Sequence, residues 1–222
     1  MKTWMIVLGA ALALGLVVLL VLPFGDERNG ATPAGAAATS PPAAGAAEEL
    51  PELPAEAAAL ESPVDGVIAD GEYPHSVEVT GMTVYWGNDA ENLRMGLVSP
   101  GTGYVSVGLA PDRRMEGANF ILGAVVDGWA AVRDDIGTGP VAHEADIERG
   151  GTDDVLEWGG SETEGATVFE FVIPLDSGDA QDKPLVPGEV YELLVAYHET
   201  SDDFSARHSA RGAAEITLDP AP

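Results

Sequence analysis

The sequence predicts an all-β protein, an antiparallel β-sandwich or barrel, preceded by an N-terminal apolar helix and a disordered linker. Three observations lead to this prediction. From about residue 63 onward, short segments alternate apolar and polar side chains, with Gly, Asp, Asn or Pro between them. Beyond the N-terminus, no long segment shows the 3.6-residue period of a helix. Residues 4–24 form a single apolar segment, broken only by glycines and Pro23.

Residues 1–24 are predicted to be a membrane anchor or a signal peptide. Lys2 precedes an apolar run over residues 4–24, and about 20 residues suffice to span a bilayer as a helix. The run ends without a small-x-small cleavage site, which favours an uncleaved anchor, although alanine-rich sites occur around residues 36–38. Both interpretations place the rest of the chain outside the cytoplasm.

Residues 25–62 are predicted to be a disordered linker. They are rich in Ala, Pro and Gly and almost lack large apolar groups. Such a segment cannot bury enough surface to offset the entropy of ordering its backbone. We interpret it as a spacer or as plain low-complexity sequence.

Residues 63–222 supply the predicted strands of the sandwich. Alternating or β-rich segments occur, in chain order, at residues 77–79, 82–86, 93–97, 104–109, 120–126, 129–133, 168–173, 191–197 and 214–218. The turn residues between them favour antiparallel connections.

Charge and composition exclude several classes of function. The 222 residues include 37 acidic and 10 basic side chains, a formal net charge of -27. Such a surface repels nucleic-acid phosphates and anionic lipid headgroups. The absence of cysteine excludes disulfides, thiolate metal sites and covalently attached haem. No hydrolase, P-loop or dinucleotide-binding motif is present.

A few residue types in the domain are able to hold a ligand. The chain has four histidines, of which His198 ends an apolar strand and His208 follows ten residues later in a predicted loop. Met115 lies in a charged, glycine-containing loop, an uncommon place for a methionine that only fills a core. The acid pairs at residues 134–135, 153–154 and 202–203 are expected in solvated loops. Calcium is possible there, but the spacing does not match an EF-hand loop.

Several of these segments together resemble the DOMON family over residues 64–219. The features are Asp65-Gly66-Val67-Ile68 with Gly71-Glu72-Tyr73, the segments 84–89 and 101–108, Met115-Glu116-Gly117-Ala118-Asn119, the segments 169–171 and 182–185, and Ala196-Tyr197-His198 with 208–212. The domain is similar in this respect to the cytochrome domain of cellobiose dehydrogenase. The resemblance implies an extracytoplasmic, antiparallel β-sandwich of about ten or eleven strands that binds haem or a sugar.

The resemblance also implies the ligands of a b-type haem. In haem-binding members of the family a methionine and a histidine ligate the iron, and these roles correspond to Met115 and His208. Six-coordinate iron of this kind suits electron transfer to a redox partner protein. The resemblance therefore implies an electron-transfer or ligand-binding domain rather than an enzyme. This interpretation requires a dry apolar cleft between the two sheets, open at the end that carries Met115 and His208. If the two side chains instead lie apart, the haem interpretation fails.

Two other functions stay open. The same sandwich can be a carbohydrate or small-ligand binding module without a redox role, with Trp86, Tyr104, Trp129 and Trp158 as candidate stacking surfaces. Alternatively, it can be a structural sandwich whose acidic loops hold calcium.

Overall fold

The computed structural model describes residues 62–163 and 165–221. The predicted anchor, and all of the predicted linker except Ser62, lie outside the described residues. Within the described part of the chain, no helix combines the length and the apolar character needed to cross a membrane.

The described residues form eleven strands and one short 3-10 helix, Asp146–Arg149. In chain order the strands are β1 His75–Val79, β2 Met82–Asn88, β3 Asn92–Pro100, β4 Val105–Leu109, β5 Asn119–Val126, β6 Trp129–Gly139, β7 Ala142–Ala145, β8 Glu157–Thr163, β9 Ala166–Pro174, β10 Val190–Tyr197 and β11 Ala210–Thr217. The all-β prediction and the strand number are therefore confirmed.

Two antiparallel sheets make up the sandwich. The five-stranded sheet has the order β1-β2-β3-β9-β8, and the six-stranded sheet has the order β11-β10-β4-β5-β6-β7. Alternate residues of the central strands point into the core between the sheets, as the period of two requires. Leu93, Met95 and Leu97 of β3 belong to this core, and so do Val105 and Val107 of β4.

The sequence prediction lacked β7 and β8, and both are edge strands of their sheets. An edge strand has a neighbour on only one side and does not need a continuous apolar face. The sequence of β7 is AHEA and that of β8 is EWGGSET, so neither shows a clear apolar alternation.

A buried ionic network fastens the first described residues to the outer face of the five-stranded sheet. The side chain of Arg94 on β3 is about 2% exposed, and its Nη2 lies 3.0 Å from Glu72 Oε1 and 3.3 Å from Glu170 Oε1. The Tyr73 hydroxyl donates a 2.7 Å hydrogen bond to Glu170 Oε1. The guanidinium also donates to the carbonyl oxygens of residues 62 and 63. We call Arg94, Glu72, Glu170 and Tyr73 the arginine network.

Candidate functional site

A cavity of about 440 Å³ opens on the six-stranded sheet. This is within the usual range for sites that bind small molecules and cofactors. Its walls are mainly apolar, with a few polar and basic groups among them. The lining residues that matter below are Met115, Phe120, Leu122, His143, Leu194 and His208.

The cavity lies on the outer face of the six-stranded sheet and not between the sheets. On β5, Ile121 belongs to the inter-sheet core, whereas its neighbours Phe120 and Leu122 line the cavity. On β10, Leu193 belongs to the core and Leu194 lines the cavity. The prediction of a cleft between the two sheets is therefore wrong, because large buried side chains fill that space.

Met115 reaches the cavity from the loop between β4 and β5. The loop folds back on itself through a hydrogen bond from the Glu116 amide to the Arg113 carbonyl. It also packs against β6, where the Gly117 amide donates to the Gly137 carbonyl at 2.8 Å. A Cβ atom at position 137 would lie 1.7 Å from the carbonyl oxygen of Met115. Glycine at position 137 therefore allows the backbone of Met115 to approach the sheet.

His208 reaches the same cavity from the loop between β10 and β11. The Ser209 amide donates to the Tyr197 carbonyl at 2.8 Å, and the Tyr104 hydroxyl donates to the Ala206 carbonyl at 2.9 Å. These bonds hold the two ends of the segment that carries His208. Burial, followed by the positive charge of Arg211, lowers the pKa of His208 below its ordinary value. The imidazole is therefore neutral near pH 7, the form in which histidine ligates a metal.

The structure thus brings Met115 and His208, 93 positions apart in sequence, to the wall of one cavity. Their roles as ligands stay a prediction. His198 does not line the cavity, and its Nδ1 accepts hydrogen bonds from the Thr200 and Ser201 amides at 3.1 and 2.9 Å. That imidazole closes the turn after β10.

His143 is a cavity residue that the sequence prediction did not single out. It lies on β7, and its Nδ1 is 2.5 Å from Oδ2 of the fully buried Asp135. Arg133 contacts both oxygens of the same carboxylate at 2.6 Å. Burial opposes ionisation of Asp135, but the hydrogen bonds from His143 and Arg133 hold its pKa below the usual value. A carboxylate that holds one ring nitrogen of a histidine is a common support for a metal-ligating imidazole.

The sequence predicted that the acid pair at residues 134–135 lies in a solvated loop, and this prediction is wrong. Both residues lie inside β6 and both are buried, with Asp134 about 3% exposed. They point to opposite faces of the sheet, because Asp134 pairs with the core residue Ile121 and Asp135 pairs with Phe120. The pairs at residues 153–154 and 202–203 lie in loops, as predicted.

The four aromatic residues proposed as stacking surfaces separate into two groups. Trp86 and Tyr104 are buried, and the Trp86 indole donates to the Thr217 carbonyl at 3.0 Å. Trp129 is 80% exposed and Trp158 is 46% exposed. The Trp158 indole donates to the carbonyl of Ala130, the residue after Trp129, so the two exposed rings share one region of the surface.

A family model described as "DOMON domain" matches residues 79–198. No curated protein sequence matches the chain. Among solved structures, the cytochrome b domain of pyranose dehydrogenase from Coprinopsis cinerea matches with a TM-score of 0.46 and 11% identity, over 61% of this chain and 76% of that one.

Two further solved structures represent different kinds of domain. The cytochrome domain of Myriococcum thermophilum cellobiose dehydrogenase has a TM-score of 0.45 and 11% identity, over 65% of this chain and 81% of that one. A family 9 carbohydrate-binding module from Caldicellulosiruptor kristjanssonii, in complex with glucose, has a TM-score of 0.41 and 14% identity, over 72% of this chain and 93% of that one. None of these values allows a ligand to be transferred to this chain.

Proposed function

This chain belongs to the DOMON family, and from that premise we propose that it binds b-type haem through Met115 and His208 and relays electrons. The single observation that carries the proposal is the shared cavity. A thioether from one loop and an imidazole from another line the same apolar space of about 440 Å³.

The residues of the cavity fit a haem group. Phe120, Leu122 and Leu194 offer apolar surface to a large, mostly apolar ring and exclude water from it. A Cβ atom at Gly108 would lie 2.3 Å from the Phe120 ring, so glycine lets that ring lie against the sheet. The cavity is also lined by Arg114 and Arg211, both exposed, whose guanidinium groups suit the carboxylates of haem propionates.

Haem held by these two side chains supplies one-electron exchange between ferrous and ferric iron. Met115 and His208 would fill both axial positions, which leaves no open site for oxygen and favours electron transfer over catalysis. The proposed partner is therefore a separate redox protein. With residues 1–24 as an anchor, the domain would work outside the cytoplasm.

Reconstitution of the full-length chain with haemin tests the proposal. The visible spectrum of the wild type should show low-spin, six-coordinate iron. Met115→Ala should free one axial position and raise the high-spin fraction, and His208→Ala should weaken haem retention more, because imidazole is the stronger ligand. His198→Ala is the matched control, since His198 does not line the cavity, and its spectrum should equal that of the wild type.

His143→Ala decides which imidazole is the ligand. The proposal expects six-coordinate iron to persist in this variant. Loss of the low-spin spectrum in His143→Ala, with His208→Ala unaffected, would reassign the histidine to position 143. Wild-type spectra from both Met115→Ala and His208→Ala would refute the proposed ligation.

The exposed pair Trp129 and Trp158 favours a second candidate function, the binding of a carbohydrate. Exposed indole rings offer flat apolar surfaces on which sugar rings stack. Titration with soluble oligosaccharides should then change the tryptophan fluorescence, and Trp129→Ala should abolish the change. A wild type that binds haemin but gives no fluorescence response to oligosaccharides would reject carbohydrate binding and retain haem binding as the function.

A further inference from the structure

Beside β6, and on the face opposite to Asp135, three carboxylates converge. Asp134, Asp154 and Asp182 each offer an oxygen, and these oxygens all lie within 4.8 Å of one another. Asp134 is on β6, Asp154 is in the loop before β8, and Asp182 is in the loop between β9 and β10. The Asp154 amide donates to Asp134 Oδ2 at 3.1 Å, which fixes two of the three side by side.

Asp146 adds an independent observation. It is the first residue of the 3-10 helix, it is 0% exposed, and neither of its carboxylate oxygens has a hydrogen-bond partner. The charge that acts on it most strongly is that of Asp182, and Asp154 also acts on it. Asp146 therefore lies close enough to Asp182 for their charges to interact, but it is not one of the three residues whose oxygens lie within 4.8 Å of one another. One oxygen of Asp134 and one of Asp182 are likewise buried without a partner.

No basic side chain neutralises this group. Among the residues that the structure describes, no ion pair joins a basic side chain to any of the four aspartates. The basic residues nearest in sequence pair with other carboxylates: Arg133 with Asp135, Arg149 with Glu144 and Lys183 with Asp112. Buried carboxylates without a cation are expensive, so such a group must take up protons or a metal ion.

The electrostatics agree with a group that lacks its cation. Burial and the neighbouring carboxylates raise the pKa of Asp134 to about 8 and the pKa of Asp146 to about 7. Both groups therefore resist ionisation when no positive charge is near. A divalent ion would remove this resistance, because it is the largest local charge in any site that it occupies.

We propose that Asp134, Asp154 and Asp182 form a calcium site, with the buried carboxylate of Asp146 nearby. Calcium is a hard cation that takes 6–8 oxygen ligands from carboxylates, carbonyls and water at about 2.3–2.6 Å, in flexible geometry. Three carboxylates on three separate segments suit it. Magnesium usually keeps several waters and is seldom bound by a cage made only of protein groups. Zinc prefers nitrogen and sulfur ligands, and none of the four residues supplies either.

Calcium at this position would link β6 with the loop before β8 and the loop between β9 and β10, in addition to the hydrogen bonds that Thr152 donates to Asp179. The expected effect is therefore on stability. Full-length protein freed of metal by a chelator should bind one calcium ion per chain in calorimetry. Its melting temperature should rise by roughly 5–10 °C at saturating calcium. Calcium alone is the probe, so the result does not depend on haem.

Asp154→Asn and Asp182→Asn are the test variants. Each removes one ligand charge with almost no change in shape, and each should abolish calcium binding and the rise in melting temperature. If one variant does not fold, the other still tests the site. Asp70→Asn is the matched control, because Asp70 is exposed and lies outside the group, and its calcium response should equal that of the wild type.

Magnesium at equal ionic strength separates a specific site from general screening of a chain with a net charge of -27. The proposal expects magnesium to stabilise the wild type much less than calcium does. A wild type without calorimetric calcium binding would overturn the proposal. Equal stabilisation of the wild type and Asp182→Asn by calcium would overturn it as well.

Discussion

The arginine network and the aspartates of the proposed calcium site both contain several buried acidic side chains. They differ in how the negative charge is compensated. In the arginine network, Glu72 and Glu170 have Arg94 between them, within 3.0 and 3.3 Å. Around Asp134 and Asp146, the described residues supply no basic partner. The comparison shows that buried acidic side chains do not by themselves indicate a cation-binding site. Buried acidic side chains without a basic partner do indicate one.

The largest expected effect comes from removing the cation of the arginine network. Arg94→Met should lower the free energy of unfolding by about 3–5 kcal/mol, because Glu72 and Glu170 would stay buried without a positive charge. Urea denaturation monitored by circular dichroism measures this loss. Arg207→Met is the control, since Arg207 is exposed, and should change stability by less than about 0.5 kcal/mol. A loss below about 1 kcal/mol in Arg94→Met would show that Arg94 does not compensate the buried charges of Glu72 and Glu170, and the two clusters would then not differ in this respect.

Neutralising an acid in the other cluster should have the opposite sign. In chelator-treated protein, Asp134→Asn should raise the free energy of unfolding by about 1–2 kcal/mol, because it removes a buried, uncompensated carboxylate. The amide oxygen can still accept the hydrogen bond from the Asp154 amide. The same urea titration measures the gain. Destabilisation of the calcium-free protein by this substitution would contradict the account of the cluster given above.

A smaller effect tests how the arginine network is satisfied. Tyr73→Phe removes the hydroxyl that donates to Glu170 at 2.7 Å and accepts from Arg94 Nε at 3.1 Å. The loss should be about 1–2 kcal/mol, the usual result of leaving buried charged groups with fewer partners. Thermal unfolding compares this variant with Tyr85→Phe, a neighbouring tyrosine at 5.9 Å ring distance that serves as the matched control. Equal melting temperatures for the two variants would show that the Tyr73 hydroxyl adds nothing.

Most of the fold could be predicted because its central strands are half buried. Strands such as β2 and β9 alternate buried and partly exposed residues along much of their length, and their sequences show the corresponding apolar pattern. The edge strands β7 and β8 have no such pattern, so they were missed. Asp134 and Asp135 were assigned to a solvated loop for a related reason. Adjacent acids are typical of loops, and a sequence does not reveal that each side chain meets its partners on a different face of β6.

The candidate site could be predicted only in part. Met115 and His208 were expected to share a cavity, and they do, but the cavity lies on the outer face of the six-stranded sheet. Its location depends on how completely the inter-sheet core is filled, which no local pattern records. His143 gave no local signal, because its importance comes from Asp135, eight positions earlier, and from the pairing of β6 with β7.

The attachment of residues 62 and 63 to Arg94 has a consequence for access to the cavity. These residues join the sandwich over the outer face of the five-stranded sheet, while the cavity opens on the outer face of the other sheet. Residues 62 and 63 therefore lie on the side of the sandwich opposite to the cavity. The surface around Met115 and His208 consists of strands and loops of the six-stranded sheet, and residues 62 and 63 do not cover it.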